Sequence, residues 1–289
     1  MTRRAPVTVV VPAYNAARFL PVTLQSLQQQ TTVPEQIVVV DDGSTDDTAK
    51  VAEGFGAVVV RQQQKGPGAA RNRGLEAATS EFVAFLDADD WYVPDKLERS
   101  VELLTELRAG CMCTDAWIVR DDRIEGRKNL HRYVPSVLTL ELLLRSNPVI
   151  CSSVVARRDA VLGAGRFDEH PDLIATEDFD LWLRMSQREP VAYLAQPMTF
   201  YRVHAGSLSA NNRFLRGTDR IMERVARDHQ GEAHFQNLVR RRRAEVRLDL
   251  AWDLLAAGDK RAARAMIGEA DRLKRTWKGF KMRLRSFLP

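Results

Sequence analysis

Short, unbroken apolar runs punctuate the first ninety residues. Val7 to Val11 is a β-branched run, and Ile37–Val40, Ala57–Val60 and Phe82–Leu86 follow it. None alternates with polar residues and none is long enough for a helix, which is the pattern of strands buried on both faces. Between them lie helical periods. Residues 18–30 carry Phe19, Leu20, Leu24 and Leu27 at helical spacing, a second helix starts near Asp46, and Gly66–Gly74 opens a third that reaches about Ala78. Ser44 or Thr45 is the expected cap of the second. The order β-α-β-α-β-α-β with short connections predicts an α/β fold, Rossmann-like, with a mostly parallel central sheet flanked by helices and right-handed crossovers.

The polar residues fall where such a sheet binds ligands, at the carboxyl ends of its strands. Pro12-Ala13-Tyr14-Asn15 follows the first strand, Asp41-Asp42 the second, and Asp87-Ala88-Asp89-Asp90 the fourth. If the extended backbone continues past Leu86, Asp87 and Asp89 share a face. Acids at the end of a buried strand need solvent, a counter-charge or a cation. Two readings stand: a hard divalent ion that also holds substrate phosphates, or a polar turn with a helix cap at Asp95. Neither a Gly-rich dinucleotide fingerprint nor a Walker phosphate loop follows the first strand.

Further along, the Asp95 helix continues to Leu107. Strands are expected at Cys111–Val119, Ser152–Arg157, Val191–Leu194 and Met198–Val203, a charged loop at Arg120–Arg132, and a short helix at Thr139–Arg145. Glu177 and Asp178 open a helix whose Leu181, Trp182 and Met185 share one apolar face. Acids in a first turn complement the helix dipole; a carboxylate there could also act as a base. Leu238–Ala257 and Lys260–Arg272, separated by Gly258-Asp259, predict an αα-hairpin.

Charge changes the picture of the C-terminal part. The chain of 289 residues has a net charge of +5, but residues 215–289 hold 19 Lys and Arg against 10 Asp and Glu, so the remainder is slightly acidic. The tail mixes its cations with Trp277, Phe280, Leu284 and Phe287. That composition suits an amphipathic helix on an anionic membrane surface; the plainer reading is a solvated basic face packed on the body. The start, Met1 to Pro6, predicts no secretory leader, and no apolar run reaches the ~20 residues needed to span a bilayer. Cys111, Cys113 and Cys151 lack the spacing of a structural zinc site and read as buried free thiols in a reducing compartment. A cytoplasmic protein, peripheral on the inner face of the plasma membrane, is the expectation.

The sequence resembles family 2 glycosyltransferases, which have the GT-A fold. The segments that carry the likeness are Val9-Val10-Val11-Pro12-Ala13-Tyr14-Asn15, Val39-Val40-Asp41-Asp42-Gly43-Ser44-Thr45-Asp46, Gly68-Ala69-Ala70-Arg71-Asn72-Arg73-Gly74 and Phe85-Leu86-Asp87-Ala88-Asp89-Asp90. The resemblance covers roughly Pro6–Ser209. It implies inverting hexosyl transfer from a nucleotide-sugar donor, a UDP-sugar first, with Mn²⁺ or Mg²⁺ as cofactor. Pro12, Ala13, Tyr14, Asn15 and Asp42 would then hold base and ribose, Arg71 the nucleotide, and Asp87 and Ala88 the ribose side of the metal shell. Asp89 would bind the metal and His204, in an Arg-x-His segment, would be its second ligand or touch the diphosphate. Asp178 would be the catalytic base, with Glu177 and Asp180 as fallbacks. The loop after His204 would close over the donor. The acceptor would be a saccharide or lipid-linked saccharide in cell-surface polysaccharide or glycolipid synthesis. Residues 1–212 would form the transferase domain, with a nucleotide-binding half to about 110 and an acceptor half beyond it, and 213–289 a basic α-helical C-terminal extension. The alternatives are a nucleotide-sugar-binding module without activity, or nucleic-acid binding through the arginine-rich tail. Aromatics suited to base stacking are sparse there, which makes nucleic acid the last choice.

Overall fold

Four parallel strands set the frame. In the computed structural model, which describes residues 3–189, 191–204 and 213–287, β1 (Arg4–Ala13), β2 (Val33–Asp41), β3 (Val58–Arg61) and β4 (Phe82–Phe85) lie in the order β3-β2-β1-β4. All three pairings are parallel. Helices α1 (Leu20–Gln28), α2 (Thr48–Gly54) and α3 (Pro67–Ala77) make the crossovers. The unbroken apolar run of β1 has a clear cause. Val7, Val9 and Val11 enter one core with Leu20, Leu24 and Leu27, while Val10 enters a second core with Leu75 and Phe85. Because both faces are buried, polar alternation is absent. Helix α3 lies so close to β1 that a Cβ on Gly74 would stand 2.2 Å from Val10 Cγ1.

The sheet then continues with mixed strand directions. The next elements are β5 (Trp91–Tyr92), α4 (Lys96–Leu107), β6 (Cys111–Arg120), β7 (Arg123–Arg127), β8 (Val137–Leu138) and α5 (Leu140–Arg145). After a 3-10 turn at Cys151–Ser153 come β9 (Val155–Arg157), α6 (Arg158–Gly163), α7 (Glu177–Ser186) and β10 (Val191–Arg202). β9 sits antiparallel between β4 and β6, β10 runs parallel to β6, and β5 and β8 pair antiparallel with β10. The parallel order expected from the sequence therefore describes β1–β4, and the second half is mixed.

Several local expectations are corrected. The charged stretch after residue 120 is not a loop: β7 folds back on β6 as a hairpin. Asp121 and Asp122 both adopt positive φ, 47° and 57°, the backbone of a tight hairpin turn that short polar side chains tolerate. β10 is one strand rather than two. Pro197 cannot donate to the ladder, so the register with β6 shifts on either side of it while the strand runs on. Ser44 and Thr45 do not cap α2; its N-cap is Asp47, without a side-chain bond. Ser44 Oγ accepts from Asn15 N and Thr45 donates to Asn15 Oδ1, which ties the β2 loop to the β1 loop. Asp95 precedes α4 but makes no capping bond either. Asp87 and Asp89 do not continue an extended strand, because Asp90 N donates to Asp87 O at 3.1 Å and the chain turns.

Among the described residues the tail has four helices: α8 (Arg213–Asp228), which the sequence pattern did not reveal, α9 (Ala233–Ala256), α10 (Lys260–Leu273) and α11 (Trp277–Arg285). Ile221, Met222 and Val225 of α8 and Leu238 and Val239 of α9 share the core of α7. The far end of α9 forms a separate cluster with α10 and α11 around Ala244, Leu248, Ile267 and Met282. The expected αα-hairpin is α9–α10, broken at Gly258 (φ 82°) and capped by Asp259, which accepts from Ala262 N. All three cysteines are buried and free.

Candidate active site

A cleft of about 1040 Å³ opens along the carboxyl ends of these strands. It is lined from the β1 loop (Pro12–Ala16), from Asp42, from the Gln64–Pro67 segment, from Arg71, from Asp87–Asp89, and from α7 through Glu177 and Asp178. The site residues expected from the sequence are all brought to it.

One end is built for rigid recognition. Asp42 is only 5% exposed. Its Oδ1 accepts from Gln62 Nε2 at 2.6 Å and Lys65 N at 2.8 Å, and its Oδ2 accepts from Gly66 N at 2.8 Å. Oδ2 keeps a lone pair for an N–H donor such as a base imino group. Next to it Tyr14 is 46% exposed on the cleft wall. Asn15 faces the solvent end but its side chain is committed to Thr45, and its φ of 48° fixes the turn.

The floor is acidic. After β4, Asp87 N donates to Ser152 Oγ at 3.1 Å, and Asp87 Oδ1 accepts from Arg71 Nη2 at 2.7 Å. Arg71 is buried on α3, and its Nη1 donates to Glu177 Oε1 at 2.6 Å. It thus clamps the β4 loop to α7, whose Glu177 lies 106 residues from Arg71 in sequence. Asp89 Oδ2 lies 2.9 Å from His204 Nε2, and His204 stacks on Phe19 at 5.1 Å. Burial and then Asp87 raise the Asp89 pKa, against the hydrogen bond from His204. Asp90 is completely buried and accepts from Arg202 N at 2.8 Å. Burial, then Asp89 and Asp87, push its carboxyl well above the ordinary range. Each of these causes disfavours the charged form of Asp90.

The third part is the start of α7. Asp178 lines the cleft and accepts from Phe179 N at 2.7 Å. A helix N-terminus alone would lower a carboxyl pKa. Here burial, followed by the adjacent Glu177 carboxylate, outweighs Arg71 and the Phe179 amide and pushes Asp178 up to about 7. The neighbouring acids are committed. Glu177 holds Arg71, and Asp180 is buried between Arg184 Nε at 2.8 Å and Arg224 Nη2 at 2.7 Å.

The sequence profile of glycosyl transferase family 2 matches residues 8–164, just over half of the chain. The chain belongs to glycosyl transferase family 2. Among its relatives, the amylovoran biosynthesis glycosyltransferase AmsE of Erwinia amylovora is 32% identical over 228 residues, covering 75% of this chain and 82% of AmsE. WfaP of Escherichia coli, a UDP-Glc:α-D-GlcNAc-diphosphoundecaprenol β-1,3-glucosyltransferase, is 29% identical over 210 residues, 71% of this chain and 80% of WfaP. Among solved structures, S. aureus TarS 1–349 in complex with UDP-GlcNAc superposes with a TM-score of 0.69 at 20% identity, covering 92% of this chain and 83% of that one. The mannosyltransferase PcManGT of Pyrobaculum calidifontis, in complex with GDP-Man and Mn²⁺, gives 0.61 at 18% identity, with coverage of 98% and 80%. These structures share the GT-A fold with the glycosyltransferase described here.

Among the described residues of this glycosyltransferase, no three His, Cys, Asp or Glu side chains converge as a ready-made metal cage. Asp89 and His204 nevertheless suit an octahedral ion that arrives with a diphosphate, since such ions take one or two protein ligands and fill the rest with phosphate oxygens and water. The residues that follow His204, expected to close over the donor, lie outside the described residues. Sequence reasoning missed Gln62 and Lys65, whose bonds to Asp42 come from a segment without regular structure. It also missed Lys128, and placed Arg242 only in a basic run; both line the cleft. Nothing in the sequence sets Arg242 apart from Arg240, Arg241 and Arg243.

Proposed function

We propose that this glycosyltransferase is a metal-dependent, inverting hexosyltransferase that moves a sugar from a UDP-sugar to a hydroxyl of a saccharide or lipid-linked saccharide acceptor. The observation that carries the reading is the shared cleft. A carboxylate keyed for a base N–H (Asp42), a carboxylate–imidazole pair (Asp89 and His204) and a carboxyl near neutrality (Asp178) all line it. Asp42 and the β1 loop orient the nucleotide. Asp89 and His204 would hold Mn²⁺ or Mg²⁺, which when bound neutralises charge on the departing nucleoside diphosphate. Asp178 takes the proton of the acceptor hydroxyl as its oxygen bonds to the anomeric carbon. The bond to the diphosphate breaks on the opposite face, so the configuration inverts. A base with a pKa near 7 is matched to this task. Arg71 holds the Asp87 loop and α7 at fixed separation. The names of the relatives support a role in cell-surface polysaccharide synthesis.

For its location we infer the inner membrane face, reached peripherally. Among the described residues no helix is long and apolar enough to cross a membrane. Instead α11 and the turn after it present Trp277, Phe280, Leu284 and Phe287, which are 68, 48, 55 and 67% exposed. Their spacing of three and four residues puts them on one helical stripe, and Lys278, Lys281, Arg283 and Arg285 surround them. Tail arginines that a nucleic acid would need, Arg243 and Arg247, are paired with Asp219 and Glu269.

Calorimetric titration of UDP, GDP and dTDP, with and without Mn²⁺, tests the donor site. UDP is expected to bind in a Mn²⁺-dependent way, and Asp89→Ala to abolish that dependence. Folded protein that binds none of the three would refute the reading.

A further inference from the structure

The tail contributes a side chain to the cleft. Arg242 of α9 lines it, with its guanidinium 5.6 Å from the centre of the Phe179 ring, one residue from Asp178. Lys128, just beyond β7, lines the same cleft. Arg132 stands within electrostatic range of both. Loss of hydration depresses the pKa of Lys128 and of Arg242, and the like charge of Arg132 adds to it.

Nearby acids act on these cations only from a distance, Asp115 on Lys128 and Glu245 and Asp249 on Arg242. Among the described residues neither Lys128 nor Arg242 makes an ion pair, and Arg242 Nε has no hydrogen-bond partner. The acids near them are committed elsewhere. Asp115 Oδ1 accepts from the backbone and side chain of Asn129, Glu245 accepts from Arg241, and Asp249 pairs with Lys278. Like charges gathered on a cleft wall repel one another unless an anion joins them. A guanidinium and an ammonium that line one cleft suit phosphate, which accepts charge-assisted bonds from both.

This cationic wall differs from the acidic floor. The floor carries the carboxyl groups of Asp87 and Asp89, for which the proposed function supplies a metal ion to meet the donor diphosphate. The wall needs none, and Arg242 packs on Phe179, which follows Asp178, the base proposed for the acceptor hydroxyl, in α7. We propose that Lys128 and Arg242, backed by Arg132, form an anion subsite for a phosphate or diphosphate group that carries the acceptor sugar. The acceptor is then a glycosyl phosphate ester, and the C-terminal extension completes its site. This rests on the transferase reading for which group Asp178 serves.

The test uses the full chain saturated with UDP and Mg²⁺, so that the donor site is filled. Geranyl diphosphate, inorganic pyrophosphate and geraniol are titrated by calorimetry into wild type, Lys128→Gln, Arg242→Gln and Arg242→Lys. Geranyl diphosphate is expected to bind wild type, each Gln variant to weaken it about tenfold, and Arg242→Lys to weaken it less. Geraniol is expected not to bind, and UDP affinity to stay constant across the variants, which also reports on folding. Geranyl diphosphate binding more tightly than pyrophosphate supports a lipid-carried phosphate; equal affinity supports a site that reads the phosphate alone. Binding that is unchanged in both Gln variants, or absent in wild type that binds UDP, overturns the subsite. Should UDP fail to bind while geranyl diphosphate binding still depends on Lys128 and Arg242, the subsite stands and the transferase reading falls.

Discussion

The two ends of the cleft are built differently. At the β1–β2 end, every carboxylate has its donors in place: Asp42 accepts three hydrogen bonds and Asp41 accepts from Ser44 N at 2.9 Å. At the α7 end, buried polar atoms lack partners among the described residues, including Arg71 Nε, Glu177 Oε2 and Arg242 Nε. The first end joins loops that follow strands of one parallel sheet. The second is assembled from α3, the β4 loop, α7 and α9, far apart in sequence. The contrast separates recognition from chemistry. The Asp42 carboxylate is already held by its three donors, whereas burial, and then the adjacent Glu177 carboxylate, push Asp178 up to about 7.

The largest break in this comparison is Asp178→Asn. It is expected to cut transfer by about 10²–10⁴-fold while leaving UDP affinity unchanged, measured as product formation and calorimetry on the same preparation. Under the proposed mechanism Asp178 must be deprotonated to act as base, so turnover should fall as pH drops below about 7. Stability carries the opposite sign. The folded carboxyl is raised from an ordinary 3.8 to about 7, so the native state binds the proton more tightly than the unfolded one. This group's contribution to stability is therefore lost as pH rises from about 4 to 7. Asp178→Asn should raise the melting temperature at pH 8 but not at pH 3; an equal effect at both would show that the carboxyl is not perturbed.

Arg71→Met comes next. It leaves Glu177 buried without its partner, which typically costs about 3–5 kcal/mol. Denaturant unfolding should show this loss, and a cost near zero would mean the clamp between the β4 loop and α7 is not needed. Smaller effects compare the packing of the two ends. Gly74→Ala drives a methyl against Val10 in β1, and Gly217→Ala drives one to 2.0 Å from Thr176 Oγ1, just before α7. Each should destabilise by about 1–3 kcal/mol. Gly74→Ala should also weaken UDP binding, whereas Gly217→Ala should lower turnover and spare binding. Identical profiles would dissolve the distinction. The smallest effect is at α11. Removing the charge in Lys281→Gln should weaken binding to phosphatidylglycerol vesicles by about 1 kcal/mol, read by sedimentation; no change would take Lys281 out of the membrane contact.

The β1–β2 end and the β4 loop were legible because their information is local. Each strand is a continuous apolar run and each polar cluster follows directly in sequence, so Pro12–Asn15, Asp42 and Asp87–Asp89 could be located before any contact was known. The α7 end was legible only in part. Residues 177 and 178 stood out as first-turn acids, but a helix start argues for a low pKa, and only burial beside Glu177 reverses it. Helix α8 escaped because its charged residues outnumber the apolar ones that face the core, Ile221, Met222 and Val225. β7 escaped because it is an edge hairpin with exposed side chains. Arg242 escaped for a different reason: which of four consecutive arginines faces a cleft is decided by the rotation of α9 against the body.

The most direct test is UDP release from UDP-glucose and UDP-GlcNAc in the presence of extracted bacterial membrane lipid. Wild type and Asp178→Asn are compared, with UDP affinity measured in parallel. The account predicts lipid-stimulated release by wild type, its loss in Asp178→Asn, and equal UDP affinity in both. Lipid-stimulated release that survives in Asp178→Asn would contradict it.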